Sequence, residues 1–468
     1  MCRSYKRRLK SAGIVVYTLI TENVTDNIYG NVNGKNIFIC FRRENMKKKV
    51  LSALLVASMV ATMFTGCGDK KEAKGKVYYL NFKPEADAQW QELAKKYTEE
   101  TGVEVKVVTA AEGTYEETLT SEIDKKDAPT LFQINGSVGY QSWKDYCLDL
   151  KDSKVYGELT NDDFAVKSGD GVYGVAYVYE GYGIVVNKKL LEQAGHKLDE
   201  IKDFNSLKAV AEDITAKKDS LGFAAFASAG LDGSSSWRFS GHLTNLPLYY
   251  EFKDDNVTEQ PATVKGTYLA QYQNVWDLYT KNATCDPADL ASKTMDDSTA
   301  EFKDGKAVFY QNGTWCYNDV KALGDENLAY IPIYFGVNDA EQGLCCGTEN
   351  FWSVNSQSSK EDQQATLDFM YWVATSDAGT SALADEMGFV APFKKAKAVQ
   401  NVLANQMNEY ITSGKENVNW VFSFTPNTES WRTPIVSALA NYSAGKEWSE
   451  VEKAYVDGWA EQYKLQQQ

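Results

Sequence analysis

Hydrophobic positions recur with strand and helix periods along the chain from residue 76 onward. The run at 76–82 is apolar, β-branched and aromatic, which is typical of a buried strand. Between residues 85 and 101, apolar residues follow at helical spacing on one face: Trp90, Leu93, Ala94 and Tyr97. Gly102 is then suited to a helix C-cap, and residues 103–108 alternate as a second strand. The order of strand, helix and strand predicts an α/β sheet.

A third strand follows the next predicted helix, and the ends of these strands indicate a ligand site. A helix near 114–125 leads to an apolar run at 128–134, which predicts the strand. In α/β sheets, ligands bind at the carboxyl ends of the strands. The residues that follow the first and third predicted strands are therefore candidate ligand contacts: Phe82, Pro84, Glu85, Asn135, Gly136 and Ser137.

The segment at 46–67 has a pattern of its own. Three lysines open it, an apolar run extends over 50–64, and a small residue precedes Cys67. A basic segment, a short apolar segment and a small residue before a cleavage point predict a secretory signal. Together with the cysteine it resembles a bacterial lipoprotein signal, which implies cleavage before Cys67, lipidation of its thiol and a tether at 68–75. The alternative is an N-terminal anchor helix that is never cut.

The first 45 residues precede this signal and do not fit a secreted protein. Residues 1–45 are basic and lack clear periodicity. A secretory signal belongs at a true N-terminus. We therefore predict that translation starts at Met46 and that residues 1–45 are a wrongly included upstream extension. The alternative is a genuine cytoplasmic extension.

Charge separates this chain from proteins that bind nucleic acid or anionic lipid. The sequence has 49 basic and 64 acidic residues, of which 11 basic and 3 acidic residues precede Cys67. The part that follows the predicted cleavage point therefore carries a net charge of −23. Such a surface repels phosphate backbones and anionic head groups, so we predict no nucleic-acid partner and membrane attachment through the lipid alone.

Cysteine and histidine form no metal or catalytic pattern. Five of the eight cysteines follow Cys67, an odd number that cannot pair completely: Cys147, Cys285, Cys316, Cys345 and Cys346. Buried free thiols are favoured, and a strained bridge between the adjacent Cys345 and Cys346 stays open. His196 and His242 have neither zinc spacing nor a nucleophile motif beside them, so we predict no cofactor, no metal and no catalysis. A glycosidase needs only two carboxylates and remains an alternative.

Four segments in a fixed order resemble one protein family. They read DAPTLF at 127–132, YGVA followed by EGYGIVVNKKLL at 173–191, AEFKDGKAVFYQNGTW at 300–315, and FWSV followed by GFVAP at 351–392. Together they resemble family 1 extracellular solute-binding proteins, the carbohydrate-type receptors of ABC importers. The resemblance covers nearly all of residues 76–463.

The resemblance implies an α/β, two-lobe periplasmic-binding-protein-like fold with three interlobe crossings and a ligand cleft. The N-terminal lobe is expected at 76–180 and 334–378, and the C-terminal lobe at 181–333 and 379–468. The resemblance also implies capture of a sugar, expected to be an oligosaccharide, by hinge closure, and delivery to the permease subunits of an ABC importer. The receptor is expected to be a monomer, lipid-anchored on the extracellular face of the bacterial cell membrane.

Aromatic residues make up 13% of the chain and support a sugar ligand, because a sugar stacks its apolar face on an aromatic ring while polar groups bind its hydroxyls. Helical patterns assign Trp90, Trp276, Trp372 and Trp459 to the core. Five tryptophans on loops or beside polar clusters are candidate ligand contacts: Trp237, Trp315, Trp352, Trp420 and Trp431. The resemblance favours Trp315 and Trp431 among them.

Carboxylates and one guanidinium complete the candidate site. The resemblance places a cleft carboxylate at the first crossing, where Glu180 lies between two tyrosines. Arg238 and Glu349 are further polar candidates. Two alternatives stay open: a receptor for a polyamine, metal chelate or peptide, and a secreted glycosidase. A single cluster of Asp and Glu around one amine favours the polyamine, whereas scattered aromatic residues favour the sugar.

Overall fold

The computed structural model describes residues 8–11, 14–20, 25–32, 35–42 and 74–467, in two units that divide after residue 72. Four antiparallel strands pair in chain order in the first unit: β1 (Arg8–Ser11), β2 (Ile14–Ile20), β3 (Thr25–Val32) and β4 (Lys35–Arg42). The predicted signal at 46–67 lies outside the described residues. Cleavage and lipidation at Cys67, and the translation start at Met46, therefore stay predictions.

Strands and helices alternate through the second unit. Up to residue 176 the elements are β5 (Val77–Asn81), α1 (Asp87–Thr101), β6 (Val105–Thr109), α2 (Tyr115–Glu122), β7 (Leu131–Ile134), α3 (Gly136–Trp143), β8 (Ala165–Ser168) and β9 (Gly171–Ala176). From residue 180 to residue 347 they are β10 (Glu180–Asn187), α4 (Lys188–Gln193), α5 (Phe204–Leu221), β11 (Ala224–Phe226), a π-helical turn (Arg238–His242), α6 (Asn245–Asp255), α7 (Leu269–Lys281), α8 (Met295–Lys303), β12 (Ala307–Gly313), α9 (Tyr317–Val320), β13 (Leu328–Ile331) and β14 (Gln342–Gly347). The remainder comprises β15 (Phe351–Val354), α10 (Lys360–Thr375), α11 (Asp377–Ser381), α12 (Val402–Thr412), β16 (Glu416–Asn419), α13 (Thr428–Ser443) and α14 (Ser449–Gln466).

Two six-stranded sheets organise this unit and confirm the predicted α/β, two-lobe class. The first sheet has the strand order β6-β5-β7-β15-β9-β8, and with its helices it forms the first lobe. The second sheet has the order β11-β12-β10-β14-β16, with β13 also pairing with β10, and forms the second lobe. Strands β5, β6 and β7 run parallel, so their carboxyl ends meet at one edge.

Helix α1 shows how local pattern sets local structure. Its buried residues are the four that the helical spacing predicts: Trp90, Leu93, Ala94 and Tyr97. Gly102 ends the helix in the left-handed conformation, with φ +70°, and its amide donates to the Thr98 carbonyl. Glycine adopts this conformation without the steric cost that a Cβ would add. Both predictions are confirmed.

The chain passes from one sheet to the other at three places, and two of these places differ from the predicted lobe boundaries. The first change lies between Ala176 and Glu180, beside the boundary expected at 180. The second lies between Gly347 and Phe351 rather than at 334, because β14 pairs with β10 and belongs to the second sheet. The third follows Phe393 rather than 378, because that side chain still packs in the first-lobe core.

Each lobe has an aromatic core. Trp90 and Trp352 pack in the first, with ring centroids 5.9 Å apart, and Trp276 and Trp459 pack in the second. Trp90, Trp276 and Trp459 are fully buried as predicted. Trp372 is only half-buried, because it lies on the outer side of α10, where its indole N–H donates to Glu100.

All five described cysteines are free thiols, so the adjacent Cys345 and Cys346 form no bridge. They lie on one strand and therefore face opposite sides of the second sheet, each in a different core cluster. Among the residues described here, no helix is both long and apolar enough to cross a bilayer.

Candidate functional site

A cavity of about 1070 Å³ lies between the two lobes, and loops at the ends of strands supply much of its wall. Phe82 and Glu85 follow β5, Glu112 follows β6, and Asn135 follows β7. These loops meet because the three strands are parallel neighbours. Phe82, Glu85 and Asn135 thus lie on the cavity wall that the strand ends indicated. Glu112 was not predicted, but it also lies on this wall, because it follows the carboxyl end of the neighbouring strand β6.

Two glycines allow the lobes to come close together beside the cavity. Gly113 has φ +73°, and a Cβ built on it would come 2.4 Å from the carbonyl oxygen of Gly233 in the second lobe. A Cβ built on Gly136 would come 3.3 Å from the Cβ of Ser423. Glycine at positions 113 and 136 therefore permits close approach of the two lobes.

Lys83 and Glu180 form a buried ion pair at the first crossing. The Lys83 ammonium lies 2.8 Å from Glu180 Oε1 and 3.2 Å from Glu85 Oε1. Burial opposes the ammonium charge, but attraction by Glu180 and Glu85 raises the pKa of Lys83 above its ordinary value. Glu180 Oε2 accepts a hydrogen bond of 2.8 Å from the Asn350 side chain. Glu180 lines the cavity as predicted, but protein groups already occupy both of its oxygens.

Trp237 and Trp315 form an aromatic wall, with ring centroids 5.6 Å apart. Both are half-buried, and Lys83 Nζ lies 5.8 Å from the Trp315 ring. A Cβ at Gly313 would come within 2.1 Å of the Trp315 indole, so the Gly-x-Trp spacing lets the ring fold back over the end of β12. Within the described part of the chain, Trp315 Nε1 has no hydrogen-bond partner.

His242 lies behind this wall in a box of aromatic rings. Its imidazole stacks on Tyr182 with centroids 4.9 Å apart, and four further rings lie within 5.3 Å: Trp237, Trp315, Trp420 and Phe422. Burial lowers the pKa of His242 well below its ordinary value, and Arg432 and Lys83 add to the effect. The imidazole is therefore neutral, although its Nε2 lies 3.8 Å from Glu349 Oε1. The sequence carried no motif that indicated this residue.

Three cavity carboxyl groups have pKa values of about 7. Burial, reinforced by the charge of Glu85, raises the pKa of Glu112 to about 7. Burial and the charge of Glu180 raise the pKa of Glu349 to about 7. Burial also raises the pKa of Glu116 to about 7, although its carboxylate accepts a hydrogen bond from Trp143. Water is thus partly excluded from this cavity, which strengthens polar interactions with a bound molecule.

Three predicted contacts lie away from the cavity. The Arg238 guanidinium is fully buried and donates to the backbone carbonyl of Gln311 and to the hydroxyls of Ser235 and Ser298, so it serves the core of the second lobe. Trp352 points from β15 into the first-lobe core, where it donates to the Tyr79 hydroxyl. Trp420 is covered by Gly347, on which a Cβ would come within 2.6 Å of its indole.

Trp431 backs the cavity wall from the core side. Its side chain is 1% exposed, its indole N–H donates to the Tyr455 carbonyl at 2.9 Å, and it packs edge-on against Tyr455 and Trp459. Trp431 thus borders the cavity with little exposed surface, and its contact with a ligand stays a prediction. Glu429 and Arg432, on the same helix α13, also line the cavity.

Comparison with known proteins identifies one family. The model of the family described as bacterial extracellular solute-binding protein matches residues 92–409, which is more than half of the chain.

Solved structures share the fold at low sequence identity. The solute-binding protein RafE in complex with raffinose has a TM-score of 0.66 and 18% identity, covering 83% of this chain and 99% of its own. The GacH receptor of Streptomyces glaucescens, studied unliganded and with acarbose, has a TM-score of 0.65 and 21% identity, covering 84% and 99%. A chitin oligosaccharide binding protein has a TM-score of 0.64 and 15% identity, covering 84% and 98%.

Proposed function

The chain belongs to the family of bacterial extracellular solute-binding proteins, and on that premise we propose that it captures an oligosaccharide and delivers it to an ABC importer. The protein is anchored by a lipid on Cys67 to the outer face of the cell membrane. It binds its ligand between the lobes, closes around it and presents it to the permease subunits, while a separate ATPase supplies the energy. The receptor acts as a monomer.

The interlobe cavity is the observation that supports this proposal. Its volume of about 1070 Å³ is slightly above the range of about 300–1,000 Å³ that is typical of small-molecule sites, so it suits more than one sugar ring. Trp237 and Trp315 offer ring faces, and Asn135, Asn312 and several carboxylates offer hydrogen-bonding groups beside them. Apolar faces with placed polar groups match the two-sided chemistry of a sugar.

The ligands of similar structures add support. RafE is described with raffinose, GacH with acarbose, and another neighbour binds chitin oligosaccharides. Saccharides longer than one ring are therefore the first ligands to test. A glycosidase requires turnover in addition to binding, so product analysis distinguishes the two functions.

Calorimetry with raffinose, maltotetraose, xylotetraose and chitotetraose tests the proposal directly. We expect saturable binding of at least one of them and no cleavage product in the recovered mixture. Trp315→Ala should weaken that binding by about thirtyfold, since truncating a binding hot spot costs at least about 2 kcal/mol. Trp372→Ala is the matched control, because that half-buried tryptophan lies on α10, away from the cavity. Cleavage of the bound sugar would overturn the assignment.

A further inference from the structure

Negative charge dominates the interlobe cavity. Eight carboxylate side chains line it, against two side chains from lysine and arginine, Lys83 and Arg432. The neutral imidazole of His242 adds no positive charge. A site built for an uncharged sugar needs hydroxyl partners, but it does not need eight carboxyl groups against two cationic side chains.

The two cavity cations neutralise only three of the eight carboxylates. Lys83 pairs with Glu85 and Glu180, and Arg432 pairs with Glu429 at 2.8 Å. Across the described residues, no lysine or arginine nitrogen lies within 4.0 Å of the other five: Glu112, Glu116, Glu117, Asp319 and Glu349. These five carboxylates are uncompensated in the sense that no lysine or arginine of the described residues pairs with them directly.

The uncompensated carboxylates come from both lobes. Glu112, Glu116 and Glu117 belong to the first lobe, Asp319 lies on α9 of the second, and Glu349 lies at the second change of sheet. Burial raises the pKa values of Asp319 and Glu116, and charges on the opposite lobe add to it: Glu85 acts on Asp319, and Glu429 acts on Glu116. Closure of the cleft brings like charges together, so a cation between them would favour the closed form.

Two buried polar groups at the same place point independently to a missing partner. His242 is 4% exposed and lines the cavity, and its Nδ1 has no hydrogen-bond partner among the described residues. Trp315 Nε1, on the same wall, is likewise buried and without a partner there. Unsatisfied buried polar atoms are rare in folded proteins and are typical of sites that a ligand completes. The faces of Trp237 and Trp315 also attract a cation.

The arrangement suits an organic cation rather than a metal ion. In the described part of the chain, no three carboxylate, imidazole or thiolate groups come close enough to hold one metal. Metal ions such as Ca²⁺ need six or more oxygen ligands around one point. Carboxylates contributed by separate segments of both lobes fit amines that are spaced along a ligand.

We propose that the natural ligand carries protonated amines, and that it is an oligosaccharide of amino sugars whose nitrogens are not acetylated. That the ligand is a sugar rests on the proposed function. That it carries amines rests on the uncompensated carboxylates of the cavity. Glu112 and Glu349 bind the ammonium groups, while Trp237 and Trp315 bind the sugar faces. A polyamine shares the amine chemistry and is the alternative source that the test must separate.

Calorimetry with glucosamine tetrasaccharide, N-acetylglucosamine tetrasaccharide and spermidine separates these sources. We expect the glucosamine oligomer to bind at least tenfold more tightly than its acetylated counterpart, and its affinity to fall as salt is raised. Glu112→Gln and Glu349→Gln should each reduce that preference about tenfold. Glu99→Gln, an exposed carboxylate on α1, is the matched control and should leave it unchanged.

Each outcome bears on one proposal. Equal or tighter binding of the acetylated oligomer would overturn the amine inference and leave the oligosaccharide receptor standing. Binding of spermidine with no binding of either saccharide would support the cation site and overturn the oligosaccharide function. Absence of binding by both the glucosamine oligomer and spermidine at millimolar concentration would also overturn the amine inference. Because glutamine preserves side-chain volume and resembles the protonated carboxyl group, melting curves of the variants at pH 5 should match the wild type.

Discussion

The ammonium of Lys83 lies 2.8 Å from the carboxylate of Glu180, and the two side chains are only 5% and 4% exposed. Lys83 follows β5 of the first sheet, and Glu180 opens β10 of the second, so this buried pair joins the lobes beside the first crossing. The pair also holds the lysine near the Trp315 ring. It therefore connects the hinge region to the cavity wall.

Breaking this pair should be costly. Lys83→Met leaves a buried carboxylate and Glu180→Leu leaves a buried ammonium, so each should lower the free energy of unfolding by about 3–5 kcal/mol. The double variant should lose less than the sum of the two, because it removes both members of the fully buried pair and leaves only the partly exposed Glu85 without its lysine. Urea denaturation of the four proteins measures this cycle. Lys453→Met, at an exposed pair on α14, is the control and should unfold like the wild type. Additive losses would show that the pair is not energetically coupled.

Trp431 and Trp315 should respond differently to truncation. Trp431→Ala removes a fully buried indole and should cost about 3–5 kcal/mol of stability through the cavity it leaves. Trp315→Ala removes a half-buried ring at the cavity and should change the unliganded melting temperature less. Thermal unfolding of both apo variants gives the comparison. If Trp431→Ala melts like the wild type, its assignment to the core is wrong.

Gly113→Ala should hold the lobes apart. The new Cβ would meet the Gly233 carbonyl oxygen at 2.4 Å, so the variant should bind ligand weakly and stay expanded in small-angle scattering when ligand is added. Gly169→Ala is the matched control, because Gly169 also has positive φ, at +56°, but no atom within 4 Å of an added Cβ. Both variants should lose about 1 kcal/mol of stability, since a Cβ is disfavoured at positive φ. Equal affinity in the two would contradict a role for this contact in closure.

Stability should fall as pH rises through the neutral range. The pKa values of Glu112, Glu116 and Glu349 are about 7 in the folded protein, against an ordinary value of 4.5. Between these values the folded state binds more protons than the unfolded state, so each of the three groups favours folding at pH 5 relative to pH 8. Urea midpoints at the two pH values should therefore differ less in Glu116→Gln than in the wild type. An unchanged difference would show that Glu116 ionises normally.

Lipidation of Cys67 has a direct test in bacterial cells. Cys67→Ser should abolish the lipid and leave the protein unprocessed or released into the medium, because the predicted signal is cut only before a modified cysteine. Cys285→Ser is the control, since that thiol lies in the folded second lobe. Mass spectrometry of membrane-bound wild type should show the lipid on the N-terminal cysteine. An unmodified Cys67 in that fraction would overturn the anchor.

Periodic patterns determined the local structure of this protein. The spacing of Trp90, Leu93, Ala94 and Tyr97 predicted the buried face of α1, and Gly102 predicted its end. These predictions succeed because helix and strand periods and backbone conformation depend on neighbouring residues. The order of four short segments likewise sufficed to indicate the family and its two-lobe class.

Only the tertiary structure decided which side chains reach the cavity. Trp315 and Trp431 both have polar sequence neighbours, but their side chains end in different places. The absence of a Cβ at Gly313 lets the Trp315 indole lie at the cavity, whereas the Trp431 indole is buried and donates its N–H to the Tyr455 carbonyl. The carboxylates of Glu112, Asp319 and Glu349 lie far apart in sequence and meet because strands exchange between two sheets. The burial and the charged surroundings of these carboxylates depend on residues that this exchange brings together, so a local sequence pattern cannot predict them.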